Sequence, residues 1–333
     1  MDNRHGEAPI YGGVDAGGTK FICAIGTLDR DIRAIESIPT SSPKTTLLAV
    51  AKFFNKWEQR SGLRLSGIGV SSFGPLIRDP RDPDYGSLRN SPKPGWRTAA
   101  IGSYLQEKVN LQRTIGLPVS IDTDVNGAAL AEREWGAARG IETFAYVTIG
   151  TGIGVGIVSG SETIRGTEYG RLLNGVGHPE LGHYRPGKDP EHGEYQGCCP
   201  YHSDCLEGLA SGAAIRDWTG KDARELSDDH LVWNLVARYL GHLCTVLILT
   251  LAPQRIVLGG GVMARRPLLA KICEATEKNL NGYHTHPLFQ QRLHDVIVPS
   301  SLSPAIGING GPCANAGVLG GFLLARRAAS AWA

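Results

Sequence analysis

Two stretches of this chain share one pattern: a β-rich arm, a glycine turn and a second β-rich arm. They are IYGGVDAGGTKFICAIG at 10–26 and TFAYVTIGTGIGVGIVSG at 143–160. Val, Ile, Phe and Tyr favour extended backbone and glycine lets it reverse, so each stretch predicts a hairpin. The recurrence points to two α/β halves, each opening on a hairpin. A chain of 333 residues is long enough for two such domains with their own cores. Two further glycine clusters follow, GGGV at 259–262 and GINGGPCANAG at 307–317. Any one of the four is an ordinary turn; together they suggest turns converging on one ligand.

Between the hairpins the periodicity alternates. Leu47, Val50, Phe54 and Trp57 recur at helical spacing, and Gly62 ends that helix. LSGIGVSSFGP reads as a buried strand running into a loop. RDPRDPDYGSLRNSPKPGW, at 78–96, is a long Pro-, Gly- and Asp-rich loop. LPVSIDTDVNGAALAEREWG gives a strand, a polar turn and a helix from about Asn126. The segment 165–225 has little periodicity. A helix is expected from Ser227 as N-cap, with Leu231, Leu235, Tyr239 and Leu240 on its buried face, and Pro253 stops it. RIVLGGGV is a strand, and NAGVLGGFLLARRAASAWA a closing helix.

A net charge of +2 gives no polyanion-binding field, which argues against a nucleic-acid partner. The opening MDNRHGEAPIYGGVD has no apolar leader, and TVLILTLA at 245–252 is too short to cross a bilayer. Seven cysteines, an odd number, suggest thiols or metal ligands in place of disulfides. The expectation is a cytoplasmic protein without a membrane partner.

In GVDAGGTK, Asp15 leaves a strand end, Gly17 and Gly18 expose backbone N–H groups, and Thr19 adds a hydroxyl. Phosphate oxygens take such donors, and a nearby carboxylate can hold Mg²⁺ through water. The GTGIG hairpin offers a second set: Thr148, Gly150, Thr151, Gly152 and Gly154. No Walker sequence is present, and GGGVMA fits a dinucleotide fingerprint but falls far from a domain start. In DTDVN, Asp122 and Asp124 follow an apolar strand; Asp124 is a candidate both to bind a sugar hydroxyl and to take its proton, and either aspartate is otherwise a plain helix cap. CCPYHSDCLE, at 198–207, crowds Cys198, Cys199, His202 and Cys205 into one loop.

In this order, GVDAGGTK, TDVNGAALAE, GTGIGVG, GHPELGHYRP, CPYHSDCLEGLASG and IVLGGGV resemble the ROK family of sugar kinases, closest to its bacterial fructokinase branch. SPKPGW and HPELGH point the same way. The resemblance runs from about Tyr11 to the NAG turn at 315–317. It implies an actin-like ATPase, ribonuclease H-like fold of two α/β domains with the site in the cleft between them. The small domain would be 1–121, completed by 316–333, and the large one 122–315 with an inserted zinc loop at 178–207. By the same resemblance, Asp15, Gly17, Gly18 and Thr19 form the first phosphate motif, and Thr151 and Gly152 the second. Gly260 and Gly261 line the adenosine side. Asp124 is the catalytic aspartate. Gly74, Asn126, Glu180, His183 and Glu207 take substrate-binding positions. Thr123 replaces the first Asn of the family motif.

Cys199-x-x-His202-x-x-Cys205 offers three zinc ligands, and tetrahedral N/S coordination needs a fourth. His183 matches the family's zinc-ligating histidine, and Cys198 stands as an alternative to Cys199. Four protein ligands would make the site structural and leave no open position for hydrolytic chemistry. A ROK-type repressor would carry a helix-turn-helix, for which the run ahead of Tyr11 leaves no room. The expected protein is a homodimeric ATP:hexose 6-phosphotransferase using ATP, Mg²⁺ and structural Zn²⁺. Fructose is the expected acceptor, with mannose, glucose and N-acetylmannosamine as alternatives.

Overall fold

A computed structural model describes residues 8–109, 116–160, 176–177, 180–283, 293–302 and 314–332. The chain divides into two compact units, 1–131 with 304–333, and 132–303. The first unit begins with the expected hairpin, β1 (Tyr11–Ala16) and β2 (Lys20–Gly26), followed by β3 (Ile32–Pro39). Helix α1 (Pro43–Ser61) starts at Ser42, whose hydroxyl accepts from the Thr45 N–H, and stops at left-handed Gly62. Strand β4 (Gly67–Ser72) is buried along its whole length. The loop after it carries no helix or strand until α2 (Ile101–Lys108). Strand β5 (Val119–Thr123) then runs directly into α3 (Asp124–Trp135).

The second unit repeats that plan. It has β6 (Thr143–Ile149), β7 (Ile153–Ser159) and β8 (Val176–Gly177), then short α4 (Leu206–Ala210) and α5 (Gly212–Thr219). Helix α6 (Val232–Leu251), β9 (Arg255–Gly259), α7 (Pro267–Leu280) and β10 (Ile297–Pro299) follow. The chain then returns to the first unit as α8 (Ala316–Trp332).

The first sheet has strand order β3-β2-β1-β4-β5 and the second, read from its other edge, β8-β7-β6-β9-β10. In each, the hairpin strands pair antiparallel and the last three strands pair parallel. The sequence recurrence is thus a recurrence of whole sheets. Val14, Phe21, Val50, Phe54 and Val70 centre one core; Val147, Val155, Trp233, Leu240 and Ile272 centre the other.

Helix α8 lies on β1 and β4 with almost no space between backbones. A side chain at Gly69 would strike the Gly321 carbonyl, and one at Gly320 would strike Gly127. The Ser71 hydroxyl donates to the Gly317 carbonyl at 2.8 Å. The small residues in GVLGGF permit this approach. They also bind the start of α3 to the first unit, so the division falls at 131/132 inside α3, not at the expected 121/122.

Three local expectations change. Helix α3 starts at Asp124, two residues early, because the buried Thr123 hydroxyl accepts from the Asn126 N–H at 3.4 Å and serves as cap. Helix α6 starts at Val232, not after Ser227. The Ser227 carbonyl instead accepts from the Trp233 indole and the His230 N–H, and Leu231 is exposed. Within 165–225, α5 is a regular helix, with Ser211 bonded to the Ala214 N–H and left-handed Gly220 at its end. The TVLILTL part of that run belongs to α6, 20 residues long and apolar enough by length and composition to cross a membrane, with most of its apolar window buried.

Candidate active site and metal centre

In the first unit the parallel strands β1, β4 and β5 end together, with Ala16 beside Ser72 and Ser72 beside Thr123. The carboxyl ends of parallel strands are where such sheets present ligand loops. Here they deliver Asp15, the Gly17–Thr19 turn, Gly74, Asp124 and Asn126 to one edge. The Gly17 N–H donates to the Lys20 carbonyl at 3.0 Å and closes the turn, and the Thr40 hydroxyl donates to the Gly17 carbonyl at 2.8 Å. Gly18 and Thr19 are exposed.

Asp15 accepts from the Asn315 amide at 2.7 Å. Burial pushes its carboxyl up to about 6, the Asn315 bond works against that, and the Asp124 charge adds to it. Asp15 and Asp124 are therefore electrostatic neighbours. Asp124 is half-buried at the head of α3 and bonds the Val125 N–H at 2.8 Å.

Asp122, the other carboxylate of the turn, has a different task. Buried Arg78 donates to it at 2.6 Å and 3.3 Å, and the Asn126 amide donates to it at 2.8 Å. This bidentate pair fixes the Asn126 side chain, whose buried Oδ1 has no hydrogen-bond partner among the described residues. An acceptor in that state costs free energy unless a hydroxyl or water meets it. Arg78 was not among the expected site residues. It stands 44 positions from Asp122, and only an arginine in an apolar stretch (PLIR) hinted at a buried partner.

In the second unit β6 and β9 end together, with Thr148 beside Gly259. This places the Gly150–Gly152 turn next to Gly260, where a side chain would strike the Ile149 backbone. Thr151 and Gly261 are exposed beside these contacts. The loop from Glu180 to Glu207 docks on the same turn at Ile153. The Glu207 carboxylate accepts the Ile153 N–H at 2.9 Å, and Gly182 sits against the Ile153 carbonyl. Gly152 leaves room for that carboxylate, since a side chain there would collide with it. Glu180 is exposed at the start of a single 3₁₀ turn, and its carbonyl accepts the His183 N–H.

His183, Cys199, His202 and Cys205 bring one ligand atom each within 4.8 Å of one another. The His183 Nδ1 lies 3.7 Å from the Cys199 sulfur and 3.8 Å from the Cys205 sulfur, and the His202 Nδ1 lies 3.9 Å from the Cys199 sulfur. Tetrahedral zinc, with bonds of about 2.3 Å to S and about 2.05 Å to N, sets S···N edges of about 3.6 Å. The donor set fits that ion. Cys198 is not in the cluster; its side chain turns to Tyr195. Burial pushes the Cys205 thiol up, so it keeps its proton until a cation replaces it. Cys205 is also the N-cap residue of α4, two positions before Glu207. His178, Pro179 and residues 307–313 of the expected motifs lie outside the described residues.

The ROK family model matches residues 11–311. The fructokinase of Zymomonas mobilis is 39% identical over 303 residues, covering 90% of this chain and 94% of the relative. The fructokinase of Pediococcus pentosaceus is 37% identical over 319 residues, covering 96% and 98%. Among solved structures, the ROK hexokinase of Thermus thermophilus matches with a TM-score of 0.69 at 28% identity, covering 97% of this chain and 99% of that one. The two α/β units are those of the actin-like ATPase fold, and the chain belongs to the ROK family.

Proposed function

We propose that this protein is an ATP-dependent fructokinase, converting D-fructose and ATP to fructose 6-phosphate and ADP. One observation carries the reading: near full-length likeness to fructokinases. Asp124 takes the proton from the sugar 6-hydroxyl as its oxygen bonds to the γ-phosphorus and the bond to ADP breaks. The Gly17–Thr19 turn is the phosphate motif of the first unit; Thr151 and Gly152 are that of the second, where Gly260 and Gly261 take the adenosine side. Asn126 offers its unpartnered Oδ1 to a sugar hydroxyl. Gly74, Glu180, Glu207 and the Nε2 of His183 are the remaining sugar contacts.

The Asp15 carboxylate would hold the waters of Mg²⁺, which would offset negative charge on the ATP phosphates. His183, Cys199, His202 and Cys205 would hold Zn²⁺, which would pin the loop that carries Glu180 and Glu207; four protein ligands would make such a site structural. By the same reading the enzyme is a cytoplasmic homodimer; sedimentation of the purified protein checks the dimer.

The test is a coupled ADP-release assay against fructose, mannose, glucose and N-acetylmannosamine. Fructose should give the highest kcat/KM; another hexose ahead by about tenfold, about 1.4 kcal/mol, overturns the fructokinase reading. Asp124→Asn should keep the fold and lower kcat by about 10²–10⁴-fold. Retention of more than about a tenth of kcat would remove Asp124 as the base.

A further inference from the structure

The SPKPGW stretch takes no part in the chemistry above, yet it is built with care. Lys93, Pro94, Gly95 and Trp96 form one tight turn. The Trp96 N–H donates to the Lys93 carbonyl at 3.0 Å, and Gly95 has φ 78°. Proline second and a left-handed glycine third are what a type II turn requires. Trp96 is fully buried, with ring centroids 5.5 Å from Phe21 and 5.6 Å from Phe73, and its indole donates to the Ser41 carbonyl at 2.7 Å. Phe21 belongs to β2, the second arm of the first hairpin. The turn is therefore fastened to the hairpin itself, and this fixes the origin of the Lys93 side chain. Its ammonium ends 2.5 Å from the Gly18 carbonyl, at the exposed tip of the glycine turn.

Resting on the kinase reading, we propose that Lys93 is a catalytic residue that binds the transferring phosphoryl group of ATP. An ammonium has three N–H donors, and the Gly18 carbonyl takes one. The others stand at a turn whose exposed backbone suits phosphate oxygens. That turn directly follows Asp15, at the strand-end edge that also carries Asp124. As the bond to ADP breaks and the bond to the sugar oxygen forms, charge spreads over the phosphoryl oxygens, and a fixed cation stabilises it. A lysine that only clipped the hairpin would leave nucleotide discrimination unchanged.

The test compares the full-length wild type with Lys93→Met and Lys93→Arg. Affinities for AMPPNP, ADP and fructose come from calorimetry, kcat from the coupled assay, and Tm from thermal scans. For Lys93→Met, AMPPNP affinity should fall about tenfold and kcat about 10²-fold. ADP and fructose affinities should stay within about twofold, and Lys93→Arg should recover part of the loss. Equal weakening of ADP and AMPPNP would place the ammonium elsewhere on the nucleotide and overturn the assignment. So would a lowered Tm with parallel loss of fructose binding, which marks a structural clip. An active wild type with an unaltered Lys93→Met variant sinks the Lys93 role alone; a wild type that transfers no phosphate from ATP sinks the kinase reading with it.

Discussion

Gly17 and Gly18 are adjacent and chemically identical, but the fold treats them differently, and that difference gives a sharp test of the first hairpin. A Cβ at Gly17 would lie 2.8 Å from the Lys20 carbonyl oxygen. A Cβ at Gly18 would meet no heavy atom within 4 Å, and Gly18 is not in the left-handed region. Gly18→Ala should therefore cost no packing. It should raise stability by about 0.4–1 kcal/mol, because it narrows the unfolded ensemble. Gly18→Val adds bulk only toward solvent, where the phosphate is proposed to sit. Displacing a phosphate oxygen from one backbone N–H removes a charge-assisted bond of about 1.5–3 kcal/mol, or about 10- to 100-fold in KM for ATP. The assay is ADP release at saturating fructose with ATP varied, run beside thermal scans. Gly17→Ala should show the reverse pattern, a lowered Tm from the clash at the Lys20 carbonyl. If Gly18→Val keeps the wild-type KM for ATP and the wild-type Tm, the first hairpin does not bind phosphate.

Asp15→Asn should abolish turnover and yet stabilise the protein at neutral pH. The Asp15 carboxyl sits at about 6 when folded against 3.8 in its ordinary state, so stability is lost as pH rises between those values. The Tm gain of the Asn variant should be full at about pH 8 and vanish near about pH 4; a gain that ignores pH would refute the buried-carboxyl account. The wild type should hold about one zinc per chain by elemental analysis, and Cys205→Ala should lose it together with activity. Full activity in zinc-free protein would end the structural-zinc reading. Arg78→Met leaves the Asp122 carboxylate buried without its partner, at a cost of about 3–5 kcal/mol, and should raise KM for fructose more than KM for ATP. An unchanged Tm would mean that the pair is not held in solution.

Much of this architecture could be read from one dimension, because glycine, proline and alternating β-branched residues punctuate it. The hairpins, β4, α1 and α8 came from such local signals. Helix α7 was equally legible, with Pro267 at its start and Leu268, Ile272, Thr276 and Leu280 on one face, though it was not among the expected elements. The start of α6 was not legible, since Ser227 makes a good cap on paper and its carbonyl is diverted by an indole six positions on. The metal set could be narrowed to a cysteine pair but not resolved within it, because neighbouring residues differ only in the direction their side chains leave the loop. The Arg78–Asp122–Asn126 network was hidden for another reason: it is a long-range pairing, and no local pattern records who meets whom.

The closing helix has a consequence for how the molecule is made. The second unit is one continuous stretch, 132–303, and among the described residues its sheet draws every strand from that stretch. The first unit is not. Ser71 on β4 bonds Gly317, 246 positions later, and Asp15 takes its amide partner from Asn315, 300 positions later. At about 5–20 residues per second, a ribosome leaves the earliest strands without their covering helix for many seconds. The sheet made first is therefore the sheet finished last, and in that interval the β1–β4 face waits for the helix that covers it.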